Sequence, residues 1–463
     1  MITYQDYIRD YGENPSEESV GKFLQKIVSQ HKMSLDYENA DNGYRYYRGE
    51  NDMSKHLNLL TTATGEVKVD PWSPNHRTTS SVFRQFVDEE IMYLLGNGIN
   101  WGDERTNGKL GKRFDDNLLE AAKAAKWGGR SFVYPLGDSI KVMSLREYVP
   151  IYDEETGNMR AGVYFYQIDD VHPITYTFFE EDGISVYIQT NGQISVKEQK
   201  TPYVIRRTPG AGANATIDEG IPVKRLPVIQ YNGNTEKRSE LNPLKTKIDA
   251  LDQMRNGYIN NLSMPDFYWL IENAAASQSE DVAKFLDQMK ALHAAAVEGD
   301  TKITPVPVNI PYEARTELIK QLEAALKADY MAVDLDNIIG GSNTATQIKA
   351  AYTPLKIKAT DFEACTRNFL YDLLDILGID DKPTFDPDPL INSTEEINNI
   401  ISAYGAALIP QDYATRKILG YLGDKDKADE VLQQMAAEDL QRISALGLEE
   451  REVGNDDTEP NAE

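Results

Sequence analysis

Asp380, Asp381, Asp386 and Asp388 place four carboxylates in one short stretch, and oxygen donors at that density can hold a divalent cation. A solvated loop between helices is the simpler expectation for them. Asp424, Asp426 and Asp429 superficially follow a calcium loop. The glycine at its sixth position and the glutamate at its twelfth are missing, so no calcium site is expected. Tyr44, Tyr46 and Tyr47 stand beside Arg45 and Arg48, the ingredients for stacking bases and touching phosphates. The chain carries 74 acidic against 48 basic residues, a net charge of −26. In that setting the tyrosines are expected to pack a helix against a sheet, with the arginines paired to acidic neighbours.

Cys365 is the one cysteine and falls in a helix-period stretch with no histidine in a recognisable pattern beside it, which suits a buried, inert thiol. His31, His56, His76, His172 and His293 are scattered over different elements, so no metal cluster is expected. There is no phosphate loop, no His-Glu-x-x-His, no Gly-x-Ser-x-Gly and no Cys-x-x-Cys. Asn392-Ser393-Thr394 matches a glycosylation sequon, which carries no meaning without secretion. Neither a catalytic residue, nor a metal, nor a cofactor is expected.

Length and composition agree with a folded protein of two or three domains: 463 residues, 41% hydrophobic and 26% charged. One cysteine permits no internal disulfide and fits a reducing compartment. Surface charge this acidic repels phosphate and disfavours tight non-specific nucleic-acid binding. Met1 to Asp6 lacks the basic start and apolar run of a leader, and no segment reaches the roughly 18 apolar residues of a bilayer span. A soluble protein made in the cytoplasm is expected.

Helices dominate the first hundred residues. Ser16 to Ser19 can cap a helix with its stripe at Phe23, Leu24, Ile27 and Val28. A second helix starts after Asp36 and carries the tyrosines. A third runs from about Thr79 through Phe83, Phe86, Val87, Ile91 and Leu94 and stops at Gly96. From Arg130 to about Val228 short alternating runs are punctuated by Gly137-Asp138, Glu181-Asp182-Gly183 and Asn191-Gly192, which predicts a meandering antiparallel sheet. Pro209–Asn214 is expected to be a flexible loop. Leu244, Ile248, Leu251, Met254, Tyr258 and Leu262 then mark one face of a long helix. A strand at Phe267–Ile271, a short helix at Ser279–His293 and an edge strand in Thr301–Pro311 lead to a second long helix from Tyr312. Its stripe is Ile319, Leu322, Leu326, Tyr330 and Val333. Gly340-Gly341 breaks the pattern before a third long helix, from about Thr346 to Leu377. The rest is helical from Ser393, and the last dozen residues lack apolar content and are expected to be disordered.

This order of elements resembles the portal proteins of long-tailed double-stranded-DNA bacteriophages. The residues that carry the resemblance are Tyr46-Tyr47-Arg48-Gly49-Glu50-Asn51-Asp52, then Phe83-Arg84-Gln85-Phe86-Val87-Asp88 leading to Tyr93-Leu94-Leu95-Gly96-Asn97-Gly98-Ile99. Trp127-Gly128-Gly129-Arg130-Ser131-Phe132-Val133-Tyr134 resembles the first strand of the wing. Gly340-Gly341-Ser342-Asn343-Thr344-Ala345-Thr346-Gln347-Ile348-Lys349 falls at the tunnel loop and the start of the kinked helix, with Tyr352 through Lys358 following as that helix does. Asn343-Thr344-Ala345 replaces the usual Ser-Gly ahead of that helix.

The resemblance implies an α+β, mostly helical portal fold of wing, stem, clip and crown that forms a ring. Residues 1–240 would be the wing, 241–264 the first stem helix, 265–311 the clip and 312–333 the second stem helix. Residues 334–345 would be the tunnel loop, 346–378 the long kinked wing helix, 379–445 the helical crown and 446–463 an acidic disordered tail. Asp334, Asp336, Asn337, Asn343 and Thr344 would face the DNA channel, whose negative wall would let DNA slide. Lys245, Lys247 and Arg255 would serve the stem. The implied partners are about eleven further copies of the chain, double-stranded DNA, the major capsid and scaffold proteins, the terminase large subunit and a head–tail adaptor, with no membrane. The implied location is the capsid vertex of the virion, after assembly in the host cytoplasm. Two other classes stay open: a head–tail adaptor or minor capsid protein without a channel, and an acidic-site nuclease using magnesium.

Overall fold

The computed structural model describes residues 3–12, 15–61, 65–70, 73–103, 105–136, 139–190, 192–205, 221–223, 225–263, 267–272, 302–307, 312–333, 345–387, 393–422, 424 and 427–445. They fall into two compact units. One comprises Met1–Asp334 and Tyr352–Asp388, the other Leu335–Ala351 and Pro389–Glu463. The expected loop at Pro209–Asn214, the helix at Ser279–His293 and the acidic tail lie outside the described residues.

The first unit opens with helices α1 (Tyr4–Tyr11), α2 (Glu17–Lys32) and α3 (Leu35–Tyr47). Thr3, Ser16 and Ser34 cap them, each side-chain oxygen accepting an N–H from the residue three further on. The cap at Ser34 starts α3 just ahead of Asp36, which sits in the first turn. A hairpin of β1 (Leu59–Thr61) and β2 (Val67–Val69) precedes α4 (Val82–Leu95), β3 (Ile99–Asn100), α5 (Arg105–Leu110) and α6 (Phe114–Gly128). Ten strands follow: β4 (Arg130–Pro135), β5 (Ile140–Ser144), β6 (Tyr148–Tyr152), β7 (Met159–Tyr166), β8 (Ile174–Phe179), β9 (Ile184–Thr190), β10 (Gln193–Thr201), β11 (Tyr203–Ile205), β12 (Ile221–Val223) and β13 (Ile229–Asn232). Helix α7 (Lys245–Leu262), the paired strands β14 (Phe267–Glu272) and β15 (Lys302–Pro307), and α8 (Tyr312–Tyr330) come next. Helix α9 (Ala345–Leu377) then runs through Pro354, and the short strand β16 (Thr384–Phe385) pairs with β3. The second unit holds α10 (Ser393–Gly405), α11 (Gln411–Tyr421) and α12 (Ala428–Ala445). The architecture is α+β with helices in the majority.

Two sheets organise the first unit. The larger is an antiparallel meander in the order β10-β9-β8-β7-β6, with two of its turns at the Gly183 and Gly192 breaks marked in the sequence. One face is covered by α2, whose Phe23, Leu24, Ile27 and Val28 meet Val149, Ile151, Val163, Tyr176 and Phe178. The smaller sheet, β13-β4-β5, has β4 in the middle and almost wholly buried. Helix α6 lies on it through Ala121, Ala122, Ala124 and Ala125, all buried. Alanine lets a helix approach a sheet closely but adds little hydrophobic signal, so the segment 114–128 escapes a reading based on large apolar stripes. Close approach recurs at Gly43 on α3, where a Cβ would lie 1.9 Å from the Trp127 carbonyl oxygen.

Helix α4 begins at Val82 rather than near Thr79. The backbone N–H groups of Thr78 and Ser80 are held by side chains of α7, which keeps those residues out of a helical path.

Candidate functional site

The helix pair α7 and α8 is antiparallel, since Lys247 pairs with Asp329, Arg255 with Glu323 at 2.5 Å, and Tyr258 packs on Tyr312. Ile248 and Leu251 of α7 are fully buried, as are Leu326 and Tyr330 of α8. Toward the end of α7 the apolar stripe gives out, and Leu262 is exposed. All three cations named from the sequence therefore find carboxylates within the chain. Lys245 reaches Asp52 at 2.6 Å and Asp249 at 2.9 Å. Burial alone would lower its pKa, but hydrogen bonds to those two carboxylates raise it. The partly exposed pairs of Lys247 and Arg255 contribute at most about 1 kcal/mol each. Asp334, Asp336, Asn337, Asn343 and Thr344 lie outside the described residues.

The buried face of α7 carries polar groups where a core helix would carry leucines. Asp252 and Asn256 are fully buried, and Asn260 is four residues further on. Asp252 accepts the Ser80 N–H at 2.9 Å, Asn256 the Thr78 N–H at 2.8 Å and Asn260 the His76 N–H at 2.8 Å. The spacing is commensurate. Four helical residues rise about 6.0 Å, and two extended residues advance about 6.6 Å, so alternate amides of one strand meet successive turns of the helix. Asn51 adds a bond from its amide to Asp252 at 2.6 Å. Segment 76–80 is thereby fastened along α7, with the alternate amides of His76, Thr78 and Ser80 each given a partner.

A second polar cluster lies at the base of α7. Lys126 of α6, 1% exposed, donates to Glu90 of α4 at 2.7 Å and lies 3.6 Å from Glu240. Glu240 also takes Lys358 of α9 at 2.6 Å. Burial would raise the Glu240 pKa, but the two lysines hold it below the usual range. The Tyr330 hydroxyl donates to the second oxygen of Glu90 at 2.7 Å. Two cations and two carboxylates thus neutralise one another inside the core, the arrangement burial of charge requires. These residues were not anticipated. The available signal was a charge inside an apolar stripe: Glu90 between Val87 and Ile91, and Lys126 after a run of alanines.

The tyrosine–arginine cluster is structural. Tyr46 is buried and donates to Asp249, Tyr47 donates to Asp88 at 2.7 Å, and Tyr44 packs edge-on to Trp127 at 5.2 Å. Arg45 pairs with Asp52 at 2.9 Å and Arg48 with Glu50 at 3.3 Å. The tyrosines pack against neighbouring helices rather than against the sheet. Asp381 organises α5, accepting the N–H groups of Gly102 and Asp103 and the Thr106 hydroxyl at 2.6 Å. The Thr106 hydrogen bond holds its pKa below the usual range. Cys365 is half-buried on α9, and burial raises its thiol pKa. Among the described residues no three metal-ligating side chains converge, and no helix is long and apolar enough to cross a membrane.

A family model described as phage portal protein, SPP1 Gp6-like, matches residues 27–444. The chain is similar to the portal protein of Bacillus phage SPP1, with 24% identity over 400 residues, 80% of this chain and 76% of that one. It is also similar to the portal protein of Clostridium phage phiCD119, with 22% identity over 199 residues, 40% of this chain and 43% of that one. Among solved structures it is similar to a HK97 family phage portal protein from Corynebacterium diphtheriae, at 9% identity and a TM-score of 0.35, covering 66% of this chain and 90% of that one.

Proposed function

The chain belongs to the SPP1 Gp6-like family of phage portal proteins, a structural family, and from that premise we propose that it assembles with about eleven further copies into a ring at one vertex of the capsid. Double-stranded DNA would pass through this ring during packaging and ejection. The match over residues 27–444 is the observation that carries the reading. In this assignment residues 1–240 form the wing, with 346–378 as its long helix. Helices α7 and α8 form the stem, 265–311 the clip, 334–345 the tunnel loop and 379–445 the crown. The clip would dock the terminase large subunit and later the head–tail adaptor, and the wing would meet the capsid shell and scaffold. Assembly would take place in the host cytoplasm and the finished ring would stay in the virion.

The charge supports this use. A net charge of −26 per chain makes a wall that repels the DNA backbone and lets it slide. Asp334, Asp336, Asn337, Asn343 and Thr344 would face the channel. Lys245, Lys247 and Arg255 would stiffen the stem through their pairs with Asp52, Asp249, Asp329 and Glu323. Hydrolysis would belong to the terminase, and this chain needs no cofactor for its part.

Negative-stain electron microscopy with mass photometry tests the proposal. Rings with a central pore and a mass near twelve chains of 52.1 kDa are expected. A compact dimer without a pore would overturn it.

A further inference from the structure

The hairpin β1–β2 carries an exposed apolar face. Leu59 stands opposite Val69 and Thr61 opposite Val67, and alternate residues of a strand point the same way. Leu59, Val67 and Val69 therefore share a face, and they are 63%, 59% and 53% exposed. Two strands alone are only marginally stable in water, so this ribbon gains from a cover. Leu57 and Leu59 also form one wall of a groove of about 540 Å³, whose other wall is Gly257, Asn260 and Asn261 in the last turns of α7. A Cβ on Gly257 would meet nothing within 4 Å, which leaves the helix wall open to an incoming side chain.

The opposite side of the same turns is also apolar. At about 100° per residue, Ile259 and Leu262 lie roughly 180° round α7 from Gly257, Asn260 and Asn261. Ile259 is half-buried and Leu262 is 55% exposed. Unpaired charges accompany both sides. Lys55 precedes His56 of the groove lining, and Arg77 follows His76, which Asn260 holds. Both cations are exposed, and neither pairs with a carboxylate among the described residues. Glu313 is exposed in the first turn of α8, beside Tyr312, whose ring packs on Tyr258 of α7 at 5.8 Å. It pairs with no cation among the described residues. A groove and a projection on opposite sides of one helix cannot meet within one molecule, but they can meet between copies arranged head to tail.

We propose that this groove is a docking site for a second copy of the chain. Ile259 and Leu262 of one copy enter between the hairpin and α7 of the next, and Glu313 is brought to Lys55 and Arg77. The choice of a second copy rests on the portal reading, and charge supports it. With 74 acidic against 48 basic residues, copies repel one another except where unpaired cations stand beside an apolar surface. This groove has two such cations.

The test is cross-linking of the full-length chain, in a Cys365→Ser background, with a short bismaleimide. Leu59→Cys and Leu262→Cys in one chain should give a ladder of covalent multimers. A mixture of the two single variants should give dimers and nothing larger. Leu59→Cys with Lys22→Cys, an exposed control on α2, should give severalfold less product. Glu313→Lys should lower the mixed-dimer yield severalfold, and Lys55→Glu with Arg77→Glu should restore it. Rings of the expected mass without a 59–262 product would overturn the contact and leave the portal reading standing. Product without rings would do the reverse, and absence of both would sink both. Single variants that dimerise alone as fully as the mixture, or a yield indifferent to Glu313→Lys, would also overturn the proposal.

Discussion

Replacing Asn256 tests whether segment 76–80 is held by the polar face of α7. Its side chain accepts the Thr78 N–H and hydroxyl, both at 2.8 Å, and donates to the carbonyls of Thr78 and Asp252, both at 2.7 Å. The bond to Asp252 is dispensable, because that carbonyl lies in the body of α7. Three bonds remain, all to Thr78, and at about 1 kcal/mol net for each the truncation Asn256→Ala should cost about 3 kcal/mol. Asn260→Ala removes an equally short bond to the His76 N–H, but in an exposed position where water takes over. It should cost less than about 0.5 kcal/mol. Asn256→Asp keeps the shape and the acceptor, yet loses the donor and sets a second carboxylate beside Asp252. It should be at least as damaging as alanine at neutral pH and recover as the pH falls, because protonation restores a donor. Urea unfolding followed by circular dichroism, compared at a common slope, measures all three. Equal losses for Asn256→Ala and Asn260→Ala, or a loss below about 0.5 kcal/mol for both, would refute the argument that buried side-chain bonds fix this segment.

The buried charge cluster predicts that Lys126→Met costs about 3–5 kcal/mol, since it strands Glu90, and that adding Glu90→Gln recovers part of the loss; urea midpoints of the single and double variants decide it. Met331→Gly should stabilise the chain by about 1 kcal/mol by relieving a left-handed methionine, read as a rise in thermal midpoint. Burial holds His31 neutral below its ordinary pKa of 6.5, against its hydrogen bond to the Leu145 carbonyl. The unfolded chain takes up that proton first, so His31 contributes stability that is present above about pH 6.5 and lost as the pH drops below it. His31→Gln should flatten the thermal midpoint between pH 7 and 5; an unchanged slope would show that other groups carry the acid sensitivity.

Large apolar stripes and turn residues made most of this fold legible. The caps at Ser16 and Gly96, the hairpin breaks at Gly183 and Gly192, and the long helices near residues 245, 312 and 345 all appear where spacing places them. Segment 114–128 was opaque because four alanines fill the middle of its buried face, between Leu118 and Trp127. The early start expected for α4 was wrong for a non-local reason: helix propensity near Thr79 loses to side chains on α7, well over a hundred residues away in sequence. The charged residues divide in the same way. Lys245, Lys247 and Arg255 were named through the family resemblance, whereas Glu90, Lys126, Glu240 and Lys358 become a cluster only when three helices and the segment before α7 meet. A single charge in an apolar run signals that a partner exists, but not which one.

The fastening of segment 76–80 has a built-in limit on its length and its register. Its two rulers, about 6.0 Å per helical step and about 6.6 Å per strand step, drift apart by roughly 0.6 Å with each rung. Three rungs stay within hydrogen-bonding tolerance, and the residues on either side end the series. The next amide in one direction would belong to Pro74, which has none. The next acceptor in the other would be Ile248, an aliphatic side chain packed in the core. Sliding the strand by two residues toward the start of α7 therefore loses a rung with nothing gained, because Ser80 meets Ile248 while Pro74 brings no amide to Asn260. The ladder works as a vernier, which makes it a self-terminating way to join an extended chain to a helix.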